Sequence, residues 1–273
     1  MNQSEKSFHF ISGLPRAGST LLAAVLRQNP RFHADISSPV AGMYNTLLRE
    51  VGGTSEYGVF FSDAKRRAVL KGVFENYYAD SLAKVIFDNG RLWAARLPAL
   101  SQLFPQTKVI ACVRDTSWIL DSFERLARKN ALRLSATYGY DTNSTVYTRV
   151  TAWAGSTGVV GYAYDSLKEA FFGEHADRLL LVEYDTFVRS PSKVMAAIYE
   201  FIGEPLFTHD FNKIEFDATE FDERLGSPGL HTVGRQIRVV ERQTILPPDL
   251  FKRFEGDAFW RDPANNPRGV RVI

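Results

Sequence analysis

Cysteine is almost missing from this chain: of 273 residues only Cys112 is one. A lone thiol has no partner for an internal disulfide, so the fold does not depend on an oxidising compartment. An excess of one charge is missing too. Thirty-three Lys and Arg face 31 Asp and Glu, a formal net charge of +2. That excludes the broad basic surface of a general nucleic-acid binder, while leaving room for a local basic pocket. No apolar run approaches the roughly 18 residues of a membrane span. The polar start M-N-Q-S-E-K-S lacks the basic region and longer apolar core of a secretory signal. The sequence therefore predicts a cytoplasmic protein. Repeats, low-complexity tracts and linker-like stretches are also lacking, so residues 1–273 are read as a single domain. The histidines, His9, His33, His175, His209 and His231, show no metal-ligand spacing, and no metal site is expected.

What the chain does have is alternation. Hydrophobic residues make up 45%, enough for a packed core and too many for a disordered chain. Short apolar, β-branched runs at Phe8–Ser12, Val85–Phe87, Lys108–Val113 and Leu179–Val182 predict buried strands. Helical patterns lie between them, over 19–28, 63–84, 94–104, 116–128, 146–172 and 190–202. Ser190-Pro191 opens the last helix and Gly203 follows its end. Gly155, Gly158 and Gly161 mark close packing or a kink inside the fifth. Uninterrupted apolar strands alternating with helices predict an α/β fold of three layers, a central parallel sheet with helices on both faces. Ligands of such folds bind beyond the carboxyl ends of the strands.

Those ends carry the informative residues. After the first strand comes G-L-P-R-A-G-S-T, residues 13–20. It fits the phosphate-loop spacing G-x-x-x-x-G-K-S/T except that Ser19 stands in place of the lysine. A glycine-containing loop entering a helix offers free amide N–H groups and the positive end of the helix dipole, which together cradle an anion. Without the lysine, ordinary triphosphate chemistry loses its main positive charge, and Arg16 is left to serve a ligand with fewer charges there. A second candidate anion site is V-R-D-T-S-W-I-L-D-S-F, residues 113–123. Arg114 ends a strand, and Ser122 lies eight residues on, in the following helix.

These residues resemble sulfotransferases that use 3′-phosphoadenosine 5′-phosphosulfate (PAPS). Pro15, Arg16, Ala17, Gly18, Ser19 and Thr20 match the family's P-K/R-S/A-G-S/T-T loop for the 5′-phosphosulfate. Arginine at Arg16 is similar to the tyrosylprotein and bacterial type, since cytosolic members usually carry lysine there. The Arg114 and Ser122 spacing equals the family pair for the 3′-phosphate, and Tyr184 matches the tyrosine near the adenine. The resemblance runs from Phe8 to about Glu204 and then thins. The R-K-G-x-x-G-D loop of cytosolic members is missing. In its place stands H-T-V-G-R-Q-I-R, residues 231–238, from which Arg235 or Arg238 could close over the nucleotide.

The resemblance implies metal-free, in-line transfer of a sulfuryl group from PAPS to an acceptor hydroxyl, on a small molecule or a peptide tyrosine. Arg16 would stabilise the leaving side. For the base, many relatives carry a glutamate sixteen residues before the phenylalanine of L-F-P. Here that position is Asp88. Asp88 is the expected proton acceptor, with His33 and Asp35 as the alternatives. Competing readings are a P-loop small-molecule kinase, with V-I-F-D ending at Asp88 as its Mg²⁺-holding strand, a nucleotide-binding protein without activity, and an interaction protein. The acceptor pocket is expected to draw on Met43, Tyr44, Tyr57, Phe60, Phe61, Tyr138, Tyr140, Tyr147, Trp153 and Tyr162. A homodimer is compatible with the sequence.

Overall fold

The computed structural model of the chain describes residues 6–53, 56–133, 135 and 144–273. The elements run β1 (Ser7–Gly13), α1 (Ser19–Leu26), β2 (Phe32–Ala34), α2 (Val40–Val51), α3 (Asp63–Tyr77), β3 (Val85–Asn89), α4 (Leu92–Ala95) and α5 (Leu97–Leu103). They continue with β4 (Val109–Val113), α6 (Thr116–Lys129), α7 (Val146–Ala154), α8 (Gly161–Phe172), β5 (Leu179–Glu183), α9 (Tyr184–Arg189) and α10 (Pro191–Ile202). The chain closes with α11 (Thr219–Arg224), α12 (Pro248–Arg253) and β6 (Arg271–Val272).

The strands form one six-stranded sheet in the order β2-β3-β1-β4-β5-β6. Every pairing is parallel, with Ile11 opposite Asn89 on one side and Ile110 on the other. All five residues of β4 are buried, so both faces of the sheet are covered, as the unbroken apolar run requires. This is the expected α/β architecture. On one side of β1, Phe10 packs on Trp93 at 5.0 Å and on Phe74 at 5.7 Å, while Phe8 meets Phe104 at 4.8 Å. Full burial of each such ring is worth about 1.5–3 kcal/mol.

Several boundaries differ from the sequence reading for tertiary reasons. The helix expected to reach Lys84 stops at Tyr77, because the Tyr78 hydroxyl is tied to Asp88 and the chain must turn to feed β3. The long region 146–172 is two helices. A Cβ on Gly158 would sit 2.0 Å from Ala152 O, and one on Gly161 2.1 Å from Gly155 O. The turn between α7 and α8 therefore needs glycine at both places. The helix over 190–202 forms as expected, with Gly203 left-handed at φ 73° past its end. Strands β2 and β6 were not legible, being three and two residues long. Among the described residues no helix is long and apolar enough to cross a membrane.

Candidate active site

A parallel sheet puts all its carboxyl ends along one edge. The chain moves from β3 to β4 across β1, so the crevice lies over β1. There the structure has a cavity of about 680 Å³, lined by the loop after β1, by Arg114 and Ser122, by Tyr184, and by the segment 230–242.

The loop is shaped by backbone constraints. Gly13 has φ 102°, and a Cβ there would lie 2.2 Å from Cys112 O, so the end of β1 can pass β4 only as glycine. Arg16 is left-handed at φ 58°, a conformation that costs a non-glycine residue about 1–2 kcal/mol. Its guanidinium is well anchored. Nε donates to Ser122 Oγ at 3.0 Å, and Nη1 donates to Leu230 O. Arg16 thus bridges the loop, α6 and the C-terminal segment, and brings the two candidate anion sites into contact. Burial, and then the nearby charges of Arg242 and Arg114, lower its pKa from the usual value. Such crowding of like charge suits a polyanion. Ala17 is buried behind the loop, while Gly18, Ser19 and Thr20 line the cavity.

The second candidate anion site is built by stacking. Arg114 lies over the Tyr184 ring at 4.4 Å. Tyr184 in turn packs on Gly18, where an added Cβ would meet its Cδ2 at 2.9 Å. Arg242, a residue the sequence reading did not single out, stands over Trp118 at 5.4 Å. The fully buried Asp121 secures this region. It accepts from Arg125 Nε at 2.8 Å, from Ile245 N at 2.7 Å and from Thr244 Oγ1 at 3.0 Å, and lies 3.5 Å from Arg242. The Nε atoms of Arg114 and Arg242 are buried without a hydrogen-bond partner among the described residues. Such atoms are costly unless a ligand satisfies them, and both belong to residues lining the cavity. The residues present therefore fit a phosphate-bearing nucleotide.

Arg235 is exposed, and its carbonyl accepts from Ile214 N at 2.7 Å. It does not line the cavity, whereas Arg238 and Arg242 do. The reason lies in the strand-like pairing of Phe211 and Ile214 with Ile237 and Arg235, which sequence spacing does not reveal.

Asp88, the expected base, is fully buried behind the cavity wall. Its Oδ2 accepts from Ser38 Oγ and from Tyr78 Oη, both at 2.6 Å, and its Oδ1 accepts from Trp93 Nε1 at 2.7 Å. Burial raises its pKa above the ordinary value, and the three donors oppose that rise. A carboxylate engaged by three donors and out of reach of the cavity is a support for the loop after β3. This corrects its reading as proton acceptor, and equally its reading as a Mg²⁺ ligand. His33 packs edge-on to Tyr78 at 5.1 Å, and Asp35 is exposed with Oδ1 on Ile36 N at 2.7 Å. Neither lines the cavity. Among the described residues no group of three or more His, Cys, Asp or Glu is placed to hold a metal ion.

The expected aromatic acceptor pocket also takes a different form. Tyr44 and Trp153 are core residues, and Met43, Tyr57, Phe60, Tyr147 and Tyr162 are exposed elsewhere. Phe61 packs against the core, and Tyr138 and Tyr140 fall outside the described residues.

The group that sequence reasoning missed is His231. It lines the cavity, and its Nδ1 lies 2.6 Å from Oδ1 of the buried Asp222. Oδ2 of the same carboxylate accepts from the His231 main-chain N at 2.8 Å. A carboxylate only accepts, so Nδ1 carries the proton and Nε2 keeps its lone pair. Phe221 packs edge-on against the ring at 5.5 Å. Burial lowers the His231 pKa below its usual value, Arg16 and Arg91 push the same way, and the Asp222 contact opposes them. The imidazole is thus oriented and neutral near pH 7. A histidine and an aspartate nine residues apart match no regular spacing, so only the fold could pair them.

Comparison with known proteins agrees with this fold. Among solved structures, the sulfotransferase domain from the curacin biosynthetic pathway aligns with a TM-score of 0.54 at 15% identity, covering 92% of this chain and 91% of that one. A sulfotransferase from Alicyclobacillus acidocaldarius aligns at 0.51 and 14% identity, covering 81% and 90%. At these identities the likeness concerns the fold. No curated protein matches. The model of the sulfotransferase family matches residues 9–209, about three-quarters of the length, from within β1 to the residues beyond α10. The chain belongs to the sulfotransferase family.

Proposed function

We propose that this protein transfers the sulfuryl group of PAPS to an acceptor hydroxyl, with His231 as the general base. The observation that carries the reading is the meeting, in one cavity, of the 13–20 loop with Arg114 and Arg242, whose buried Nε atoms have no partner among the described residues. PAPS supplies an activated sulfuryl group and a phosphate leaving group. The acceptor oxygen forms a bond to sulfur as the bond from sulfur to the 5′-phosphate oxygen breaks. The hydroxyl proton passes to His231 Nε2, and adenosine 3′,5′-bisphosphate (PAP) departs.

The chain's own residues divide the work. The loop amides and Arg16 face the 5′-phosphosulfate, where negative charge grows on the leaving oxygen. Arg114 and Ser122 receive the 3′-phosphate, and Tyr184, already stacked under Arg114, lies toward the adenine. Arg238 and Arg242 approach from the C-terminal segment. Asp222 fixes the tautomer and orientation of His231, as a buried carboxylate does for a catalytic imidazole. A kinase reading would need the loop lysine and a free carboxylate for Mg²⁺. Ser19 replaces the first, and the three donors on Asp88 occupy the second.

The test is calorimetry with PAP, followed by transfer from PAPS under full metal chelation. Micromolar-range binding and chelator-resistant release of PAP are expected. A protein that binds ATP with Mg²⁺ and ignores PAP would refute the reading.

A further inference from the structure

The cavity holds more positive charge than the donor uses. Among the described residues its wall carries five arginines, Arg16, Arg91, Arg114, Arg238 and Arg242, and no aspartate or glutamate. PAPS brings roughly four negative charges, shared between its 3′-phosphate and its phosphosulfate. Arg16 and Arg114 follow β1 and β4, and Arg242 acts electrostatically on Arg114 and Tyr184. Arg238 stands four residues before Arg242 on the same segment. These four match the donor.

Arg91 lies elsewhere. It follows β3, and β3 and β2 sit on the far side of β1 from β4 and β5. Its neighbours on the cavity wall there are Ile36 and Ser37 after β2 and Asn89 at the end of β3. Arg91 is close enough to His231 for its charge to lower that histidine's pKa. Its main chain is fixed, since the Arg91 carbonyl accepts from Ser12 Oγ at 3.1 Å. Its guanidinium has neither an ion pair nor a hydrogen bond among the described residues. By contrast, Arg16 is bonded to Ser122 and Leu230, and Arg242 is paired with Asp121. Arg91 is exposed, so its guanidinium is open to a ligand in the cavity. A guanidinium so placed, beside the base and away from the nucleotide strands, is a fork for a planar oxyanion.

Resting on the donor assignment above, we propose that the acceptor is a hydroxy acid whose carboxylate binds Arg91 while its hydroxyl sits at His231. The charge then balances in both halves of the cavity. Arg91 thereby selects among acceptors without touching the donor.

The test uses protein saturated with PAP and two matched pairs of probes, 4-hydroxybenzoate with 4-hydroxybenzamide and 4-hydroxyphenylacetate with 4-hydroxyphenylacetamide. Calorimetry should show the acid of at least one pair binding about 10- to 100-fold tighter than its amide, the range for hydrogen bonds to a charged group. Arg91→Gln should erase that preference and keep the affinity for PAP, which also reports folding. Arg91→Met is the second variant should the first fail to fold. Wild-type protein with no preference for the acid in either pair, whether both members bind or neither does, overturns the proposal. So does a preference that survives the loss of Arg91, or a fall in PAP affinity showing that Arg91 serves the donor. Failure of the wild type to bind PAP is a separate outcome, and it removes the donor assignment first.

Discussion

Replacing His231 by Gln keeps a hydrogen-bonding side chain of similar reach and removes the proton acceptor. A positioned acid–base group contributes typically about 10²–10⁴-fold, so turnover should fall by that range while PAP affinity, set by the anion sites, stays level. Asp222→Asn is the finer perturbation. It breaks the 2.6 Å contact to Nδ1, a bond to a charged group worth about 1.5–3 kcal/mol. The loss of orientation and tautomer should cost about 10- to 100-fold in kcat. The pH profile separates a base from a structural residue. Burial lowers the His231 pKa below its ordinary value, so its protonated form should gather only in mildly acid solution. The wild-type kcat/KM should therefore be flat near neutrality and fall at low pH along a limb below the usual histidine range. Asp222 opposes the lowering, so Asp222→Asn should move the limb further to acid. The limb should vanish from any residual activity of His231→Gln. Release of PAP from PAPS, followed with a phenolic acceptor, measures all three proteins in one assay. The reasoning is refuted if His231→Gln turns over normally, or if the Asp222→Asn limb does not move.

Three further outcomes are expected. Arg114→Ala should weaken PAP binding by about 1.5–3 kcal/mol, and it should hardly alter binding of adenosine 5′-phosphosulfate, which lacks the 3′-phosphate; equal losses for both in calorimetry would contradict the assignment of Arg114. Asp88→Asn places an amide among three donors and should cost about 1–3 kcal/mol of stability, read by denaturant unfolding, with turnover per folded molecule unchanged; a large drop in kcat at full folding would restore Asp88 as the base. His9, buried in β1 with Nδ1 accepting from Lys108 N at 3.1 Å, has a pKa pushed down to about 4, first by burial and then by Lys108. The unfolded chain then binds more protons than the native one between its ordinary value of 6.5 and about 4. The full contribution is present above 6.5, and about 3 kcal/mol of stability should be lost as pH falls through that window. His9→Gln should flatten this part of the unfolding profile, and an unchanged slope would argue against it.

The inner strands of the sheet and the edge that carries the candidate site can be read from the sequence. The runs at β4 and β5 are apolar without alternation, and such runs are stable only when both sides are covered. The loop 13–20 was legible because its glycines answer to the backbone: Gly13 has no room for a Cβ, and Gly18 leaves space for the Tyr184 ring. Arg114 was legible because a strand end followed by a helix fixes its place at the edge of the sheet. Which polar residues face the cavity follows from tertiary contacts alone. Asp88 occupies the same sequence position whether it faces the cavity or the core. Its contacts to Ser38, Tyr78 and Trp93, brought from three separate elements, put it in the core. Asp222 and His231 meet through an irregular turn after α11, where no periodicity applies. Arg242 reaches the cavity because Asp121 on α6 pairs with it and anchors Thr244 and Ile245 just beyond it. Local patterns record what a residue's own element requires. They do not record which distant element will satisfy a buried charge, and that pairing put His231 on the cavity wall and left Asp88 out of it.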